Sequence, residues 1–237
     1  MLRWQFGCLA FLMMGMLVFA NSDREGAILI PGSFHGDEIT ATSGETWLAL
    51  IHQDGKFSLE ETILTVEAIH DQMVDKPGEK TGKKIMTDKS DQNVLLLVNA
   101  PGLRVGPVDG ETYPGHFFKN AEPVHIQFGG KPYHLTMLVP AKVERETRSP
   151  LEFSSTNKKQ TLRSYYTRVM NDSMYVFGDE GSVGIQWIGD LDGDNKPDLI
   201  MSLSDHYNVM ETVLLLSSEA KEGELVKEVA VFRGVGC

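Results

Sequence analysis

Apolar and polar positions alternate with a period of two along most of the chain, the pattern of strands with one buried face. Thr62, Leu64, Val66 and Ala68 alternate with Ile63, Thr65, Glu67 and Ile69. Leu135, Met137 and Val139 alternate with His134, Thr136 and Leu138. Arg163, Tyr165, Thr167 and Val169 form another set, and Tyr175 with Phe177 a short one. Val183, Ile185 and Trp187 are expected on one face, with Gly184 and Gln186 on the other. Residues 94–98 are continuously apolar, as in a strand buried on both faces. Residues 27–30, 199–203, 212–216 and 229–232 read as further strands, and residues 44–53 with 59–71 as a hairpin. Asp54-Gly55, Pro77-Gly78, Pro101-Gly102, Asp109-Gly110 and Gly129-Gly130 supply turns between them.

No long window has clean helical spacing. The expected fold is therefore mainly β, an antiparallel sandwich or barrel-like arrangement, as one unit or as two small β subdomains. The stretch 146–160 is charged and polar and contains Pro150, so it reads as a loop or linker. It would separate an N-terminal β region, 21–145, from a C-terminal β region, 161–237.

The first twenty residues follow a different rule. Arg3 is the one charge before an unbroken apolar run over 9–19, and Val18 and Ala20 are suited to a signal peptidase site. A bilayer span needs about 20 apolar residues, so the run is too short to cross. Residues 1–20 are expected to be a removed signal peptide, with a mature chain starting at Asn21 in the periplasm or outside the cell. No membrane span is expected after that removal.

Of 237 residues, 33 are acidic and 22 basic, a formal charge of −11. Loss of Arg3 with the signal makes it −12. That balance argues against nucleic acid, whose phosphates require clustered Lys and Arg. A protein, a glycan or a small molecule is the expected ligand. Cys8 leaves with the signal, so Cys237 is the one mature thiol, able to join two chains but not to close an internal disulfide.

The strongest chemical motif is Trp-Ile-Gly-Asp-Leu-Asp-Gly-Asp-Asn-Lys-Pro-Asp-Leu-Ile-Met over 187–201. Asp190, Asp192, Asp194 and Asp198 fall at positions 1, 3, 5 and 9 of a calcium loop. Four carboxylates so close repel one another unless a cation lies among them. Calcium takes six to eight oxygens and tolerates uneven geometry. Lys196, at position 7, is expected to offer its backbone carbonyl and turn its charge outward. Gly193 and Asn195 can take the left-handed backbone such a loop needs. Asn195 replaces the glycine of an EF-hand and Met201 its final glutamate, and strands flank the loop rather than helices. The segment 177–205 resembles a single FG-GAP repeat, the Asp-rich hairpin of integrin-like propellers. That resemblance implies a structural Ca2+ bracing the sheet. One copy does not imply a propeller.

A second motif, Gly-Ser-Phe-His-Gly-Asp-Glu over 32–38, resembles the first zinc motif of the zinc carboxypeptidase and succinylglutamate desuccinylase group. The resemblance implies zinc on His35 and Glu38, with His116, His125 or His134 available as a third ligand. A helix follows the motif in that group, whereas a hairpin pattern follows it here. A calcium-binding module without catalytic residues is thus the leading expectation, and a secreted zinc metallohydrolase the alternative. Trp47, Trp187 and Tyr165-Tyr166 are expected in the core rather than on a carbohydrate platform.

Overall fold

A computed structural model describes residues 26–89, 92–118, 122–144, 147–171 and 174–235. The expected signal peptide, Cys8 and Cys237 lie outside the described residues. Among those described there is no helix, and every strand pairing is antiparallel. The mainly β class is what the alternating pattern predicts.

The first sheet is built from β1 (Ala27–Leu29), β2 (Gly32–Phe34), β3 (Thr46–Gln53), β4 (Lys56–Ile69), β5 (Gly82–Thr87), β6 (Val94–Asn99) and β7 (Gly106–Val108). Its order is β1-β6-β3-β4-β5-β2, with β7 also on β4. The expected hairpin is β3–β4, closed by Asp54 and Gly55, both at positive φ. The chain then runs through β8 (Gly110–Phe117) into a second sheet. That sheet holds β9 (Val124–Phe128), β10 (Lys131–Met137), β11 (Arg148–Ser155), β12 (Lys159–Asn171) and β13 (Met174–Phe177), in sequence order. β14 (Val183–Gly189), β15 (Asp198–Leu203), β16 (Val209–Leu216) and β17 (Lys227–Val235) join β8 in a third sheet, ordered β17-β16-β15-β14-β8.

The third sheet is the middle layer. Ile200, Leu214, Leu216, Ala230 and Phe232 pack with the first sheet around Leu50, Leu59 and Leu97. Leu199, Met201, Leu203, Val213 and Leu215 pack with the second sheet around Leu135, Leu151 and Phe153. Neighbouring residues on a strand point to opposite faces. β15 is accordingly buried at all six positions, whereas β10 in an outer layer alternates. Burial of apolar area at about 25 cal/mol per Å² is the main force holding the layers together.

Two expectations need correction. Trp187 does not share a face with Val183 and Ile185. The register of β14 slips against both neighbours between Ile185 and Trp187, and the bulge reverses the phase. Val183 and Ile185 enter the second core, and Trp187 the first. The stretch 146–160 is also not a linker, since it contains β11 and the start of β12. Its polarity is misleading because Ser149 is fully buried and accepts a 2.6 Å hydrogen bond from the equally buried Thr167 hydroxyl. Leu151 and Phe153 fill the same core.

Trp187 occupies a slot made by two glycines. Gly110 and Gly189 face each other across β8 and β14. A Cβ on Gly110 would stand 2.5 Å from the indole ring, and one on Gly189 would stand 2.3 Å from it. Trp47 and Tyr165 are buried too, so these three aromatics belong to the core as expected, while Tyr166 is exposed.

Candidate functional site

The Asp-rich loop joins β14 to β15, and the pair Gly189 and Asp198 closes its base. Gly193 and Asn195 adopt φ values of 81° and 62°, the left-handed turns expected there. These turns direct backbone amides inward. Asp190 accepts hydrogen bonds from the amides of Gly193 (2.8 Å), Asp194 (2.9 Å) and Asn195 (2.9 Å). Asp192 accepts one from the Asp194 amide at 3.2 Å. The result gathers Asp190, Asp192 and Asp194, with one carboxylate oxygen of each within 4.8 Å of the others. Among the described residues this is the one group of three or more potential metal ligands.

Asp198 plays a different part. It is fully buried, and its two oxygens accept from the amides of Leu191 and Ser217, each at 2.7 Å. It therefore ties the loop to the end of β16 instead of joining the three converging carboxylates. Burial pushes its carboxyl up to about 7, against the pull of the Ser217 amide. Lys196 also departs from expectation. Its ammonium folds back to 2.7 Å from Asp194 Oδ2. Burial acts to raise Asp194, but Lys196 and the Ser217 hydroxyl outweigh it and hold the carboxyl below its ordinary value. The Asp194 partner in turn raises Lys196.

Ser217 and Ser218 complete the loop's frame, and no sequence motif marks them. The Ser217 hydroxyl donates to Asp194 at 2.9 Å, and that of Ser218 donates to Asp192. Ser217 lies 23 positions after Asp194 and Ser218 lies 26 after Asp192, and they reach the loop because β15 and β16 are hairpin neighbours. The loop thus gathers three carboxylates, the ligand type hard cations prefer.

The second motif lies in the first sheet. His35 follows β2, and Asp71 follows β4, with β5 between those strands. His35 Nδ1 donates to Asp71, whose carboxylate also accepts from the Met73 amide at 3.0 Å. Both groups line an open cleft of about 520 Å³ together with Phe34, Glu38, His70 and Met210. The Asp71 hydrogen bond raises His35 above its ordinary value, opposed by burial and aided by the charges of Asp71, Glu38 and Asp37. His35 in turn holds Asp71 below its ordinary range. The sequence does not reveal the Asp71 partnership, because the two residues are 36 positions apart.

Glu38 lines the same cleft, but its oxygens serve the backbone. One accepts from the His35 amide at 3.1 Å and the other from the Val235 amide. Two of the three expected third zinc ligands, His125 and His134, do not come to it. His125 and His134 pair with each other in the second sheet, and the side chain of His116 lies outside the described residues. His206 accepts from the Asn208 amide at 3.0 Å, stacks on Tyr207 and serves a local turn.

Compared with known proteins, the chain matches no family model, no curated protein and no solved structure. The functional reading therefore rests on the residues themselves.

Proposed function

We propose that the protein is an exported β module that binds one calcium ion in the loop 190–198 as a structural brace, and acts by presenting a binding surface to a protein, glycan or small molecule. The observation that carries this reading is the convergence of Asp190, Asp192 and Asp194 within 4.8 Å. Three carboxylates at that spacing repel one another, and a cation relieves the repulsion. Calcium suits the loop better than magnesium, which demands tight octahedral geometry and keeps its waters. The resemblance of 177–205 to an FG-GAP repeat points the same way. In this reading Asp190, Asp192 and Asp194 supply carboxylate oxygens. Asp198 supports the loop from beneath, and the Lys196 ammonium competes with the ion for Asp194.

The test is a thermal melt with elemental analysis. Extracellular calcium modules bind at about 10⁻⁴ to 10⁻³ M. At about 2 mM calcium and a dissociation constant near 10⁻⁴ M, linkage gives about 1.8 kcal/mol, a rise of roughly 4–7 °C for a chain of this size. Identical melts in chelator and in calcium, with no bound calcium, would sink the reading. Export is tested separately by N-terminal sequencing, with a start at Asn21 expected and a retained Met1 fatal to it.

A zinc hydrolase at His35 and Glu38 has one observation in its favour. A metal-bound imidazole commonly gives its other ring nitrogen to a carboxylate, and Asp71 stands in that relation to His35. Against it, no third His, Cys, Asp or Glu joins His35 and Glu38 in a ligand cluster among the described residues. Stoichiometric zinc, lost in His35→Ala, would put the hydrolase first.

A further inference from the structure

The β9–β10 hairpin carries a pair of histidines that neither the Asp loop nor the His35 cleft uses. Its turn is Gly129-Gly130, with φ values of 55° and 71°, between the paired residues Phe128 and Lys131. Two consecutive positive φ angles make the type I′ turn that matches the twist of a two-residue hairpin. Such a turn fixes register, and a slip of one residue would send every side chain to the other face. In the register observed, His125 stands directly opposite His134.

The two rings meet edge to face, with centroids 4.9 Å apart and planes at 86°. Their Nδ1 atoms are 2.9 Å apart. At that distance one Nδ1–H donates to the lone pair of the other Nδ1, so two nitrogens share one proton. A metal ion can take the place of that proton. An ion bonded to two imidazole nitrogens at about 2.0–2.1 Å holds them about 2.9 Å apart at a right angle, and about 3.3–3.4 Å apart at a tetrahedral one. The observed spacing is that of two adjacent ligands at a right angle. His125 is exposed and His134 half-buried, so water can reach the remaining coordination positions.

We propose that His125 and His134 form a surface site for one divalent transition metal of tetragonal geometry, Cu2+ or Ni2+, held through both Nδ1 atoms. Imidazole suits these ions, and the general affinity order places copper above the other first-row metals. Calcium and magnesium take oxygen ligands and pass the site by. When the ion binds, the donating ring takes its other tautomer, its proton passing from Nδ1 to Nε2, so both imidazoles bind neutral; acid protonates the ligand nitrogens and so opposes binding. The site is independent of the Asp loop and of the reading given to it.

The experiment uses the full chain without a histidine tag, titrated with Cu2+ by calorimetry and examined by electron paramagnetic resonance. One Cu2+ per chain is expected, with a tetragonal spectrum split by two nitrogens. His125→Ala and His134→Ala should each weaken binding at least about tenfold, with unchanged circular dichroism. His125→Gln keeps a polar surface residue and should weaken binding equally, which separates ligand loss from misfolding. His35→Ala should leave binding intact. Copper binding that survives both alanine variants, absence of binding, or Zn2+ bound more tightly than Cu2+ would each overturn the proposal.

Discussion

The Glu38 carboxylate accepts a hydrogen bond from the Val235 amide across 197 positions of sequence. One side chain near the start of the first sheet thereby holds the last residue of β17. The same carboxylate fixes the His35 amide, so it links the cleft loop to the edge of the middle layer. Glu38→Ala should lower stability by about 0.5–1.5 kcal/mol, roughly 1–6 °C in melting temperature, and speed amide exchange near Val235. It should leave zinc content unchanged. Loss of bound zinc without loss of stability would contradict the structural role.

The His35–Asp71 pair predicts a pH dependence with a definite sign. His35 is raised above 6.5 in the folded chain, so its contribution is full below about 6.5 and fades as pH rises through the raised value. Asp71 is lowered below 3.8, so its contribution holds above about 3.8 and fades as pH falls through the lowered value. The pair is strongest between those limits. The melting difference between wild type and His35→Ala should be largest near pH 5.5 and smaller at pH 8.5. A difference that grows with pH would refute the assignment.

Asp198 and Asp192 should separate when mutated. Asp198 satisfies two buried amides, so Asp198→Ala should destabilise the chain by about 1–3 kcal/mol even in chelator. Asp192→Ala should cost little in chelator and remove most of the calcium-dependent rise. Melts of both variants with and without calcium check this. Equal behaviour of the two would mean that Asp198 belongs with the converging carboxylates after all.

Gly189→Ala should be far more damaging than an ordinary glycine replacement. Its Cβ would fall 2.2 Å from the Asp109 carbonyl and 2.3 Å from the Trp187 ring. Overpacking typically costs about 1–3 kcal/mol and occasionally more. A melting loss of roughly 2–12 °C with altered Trp187 fluorescence is expected. An unshifted melt would show that the indole slot has slack.

The strands with clean alternation, such as β4, β10 and β12, were legible in the sequence because each has one face in a core and one in water. So was the Asp loop, whose turns depend on adjacent residues. β11 was hidden because its buried face includes Ser149, satisfied by Thr167 on the neighbouring strand, a pairing no local pattern encodes. The face of Trp187 was misjudged because a bulge at Gln186 leaves no trace in hydrophobic order. Asp198 and Lys196 matched the ligand spacing, but Ser217 and Asp194, respectively, determine where their charges go. Contacts made between distant strands, such as His35 with Asp71, appear only once the sheets are assembled.

The middle layer has a consequence for how the chain is made. Both outer sheets end by residue 177, and the sheet that covers their apolar faces is completed by residues 183–235. A ribosome releases these segments in that order, so the early strands emerge without the surface they pack against. Leu50, Leu97, Leu135 and Phe153 stay uncovered until residues 183–235 have left the tunnel. Completion of either core thus waits for residues 183–235, which prolongs the interval in which the nascent chain is open to chaperones and to proteases.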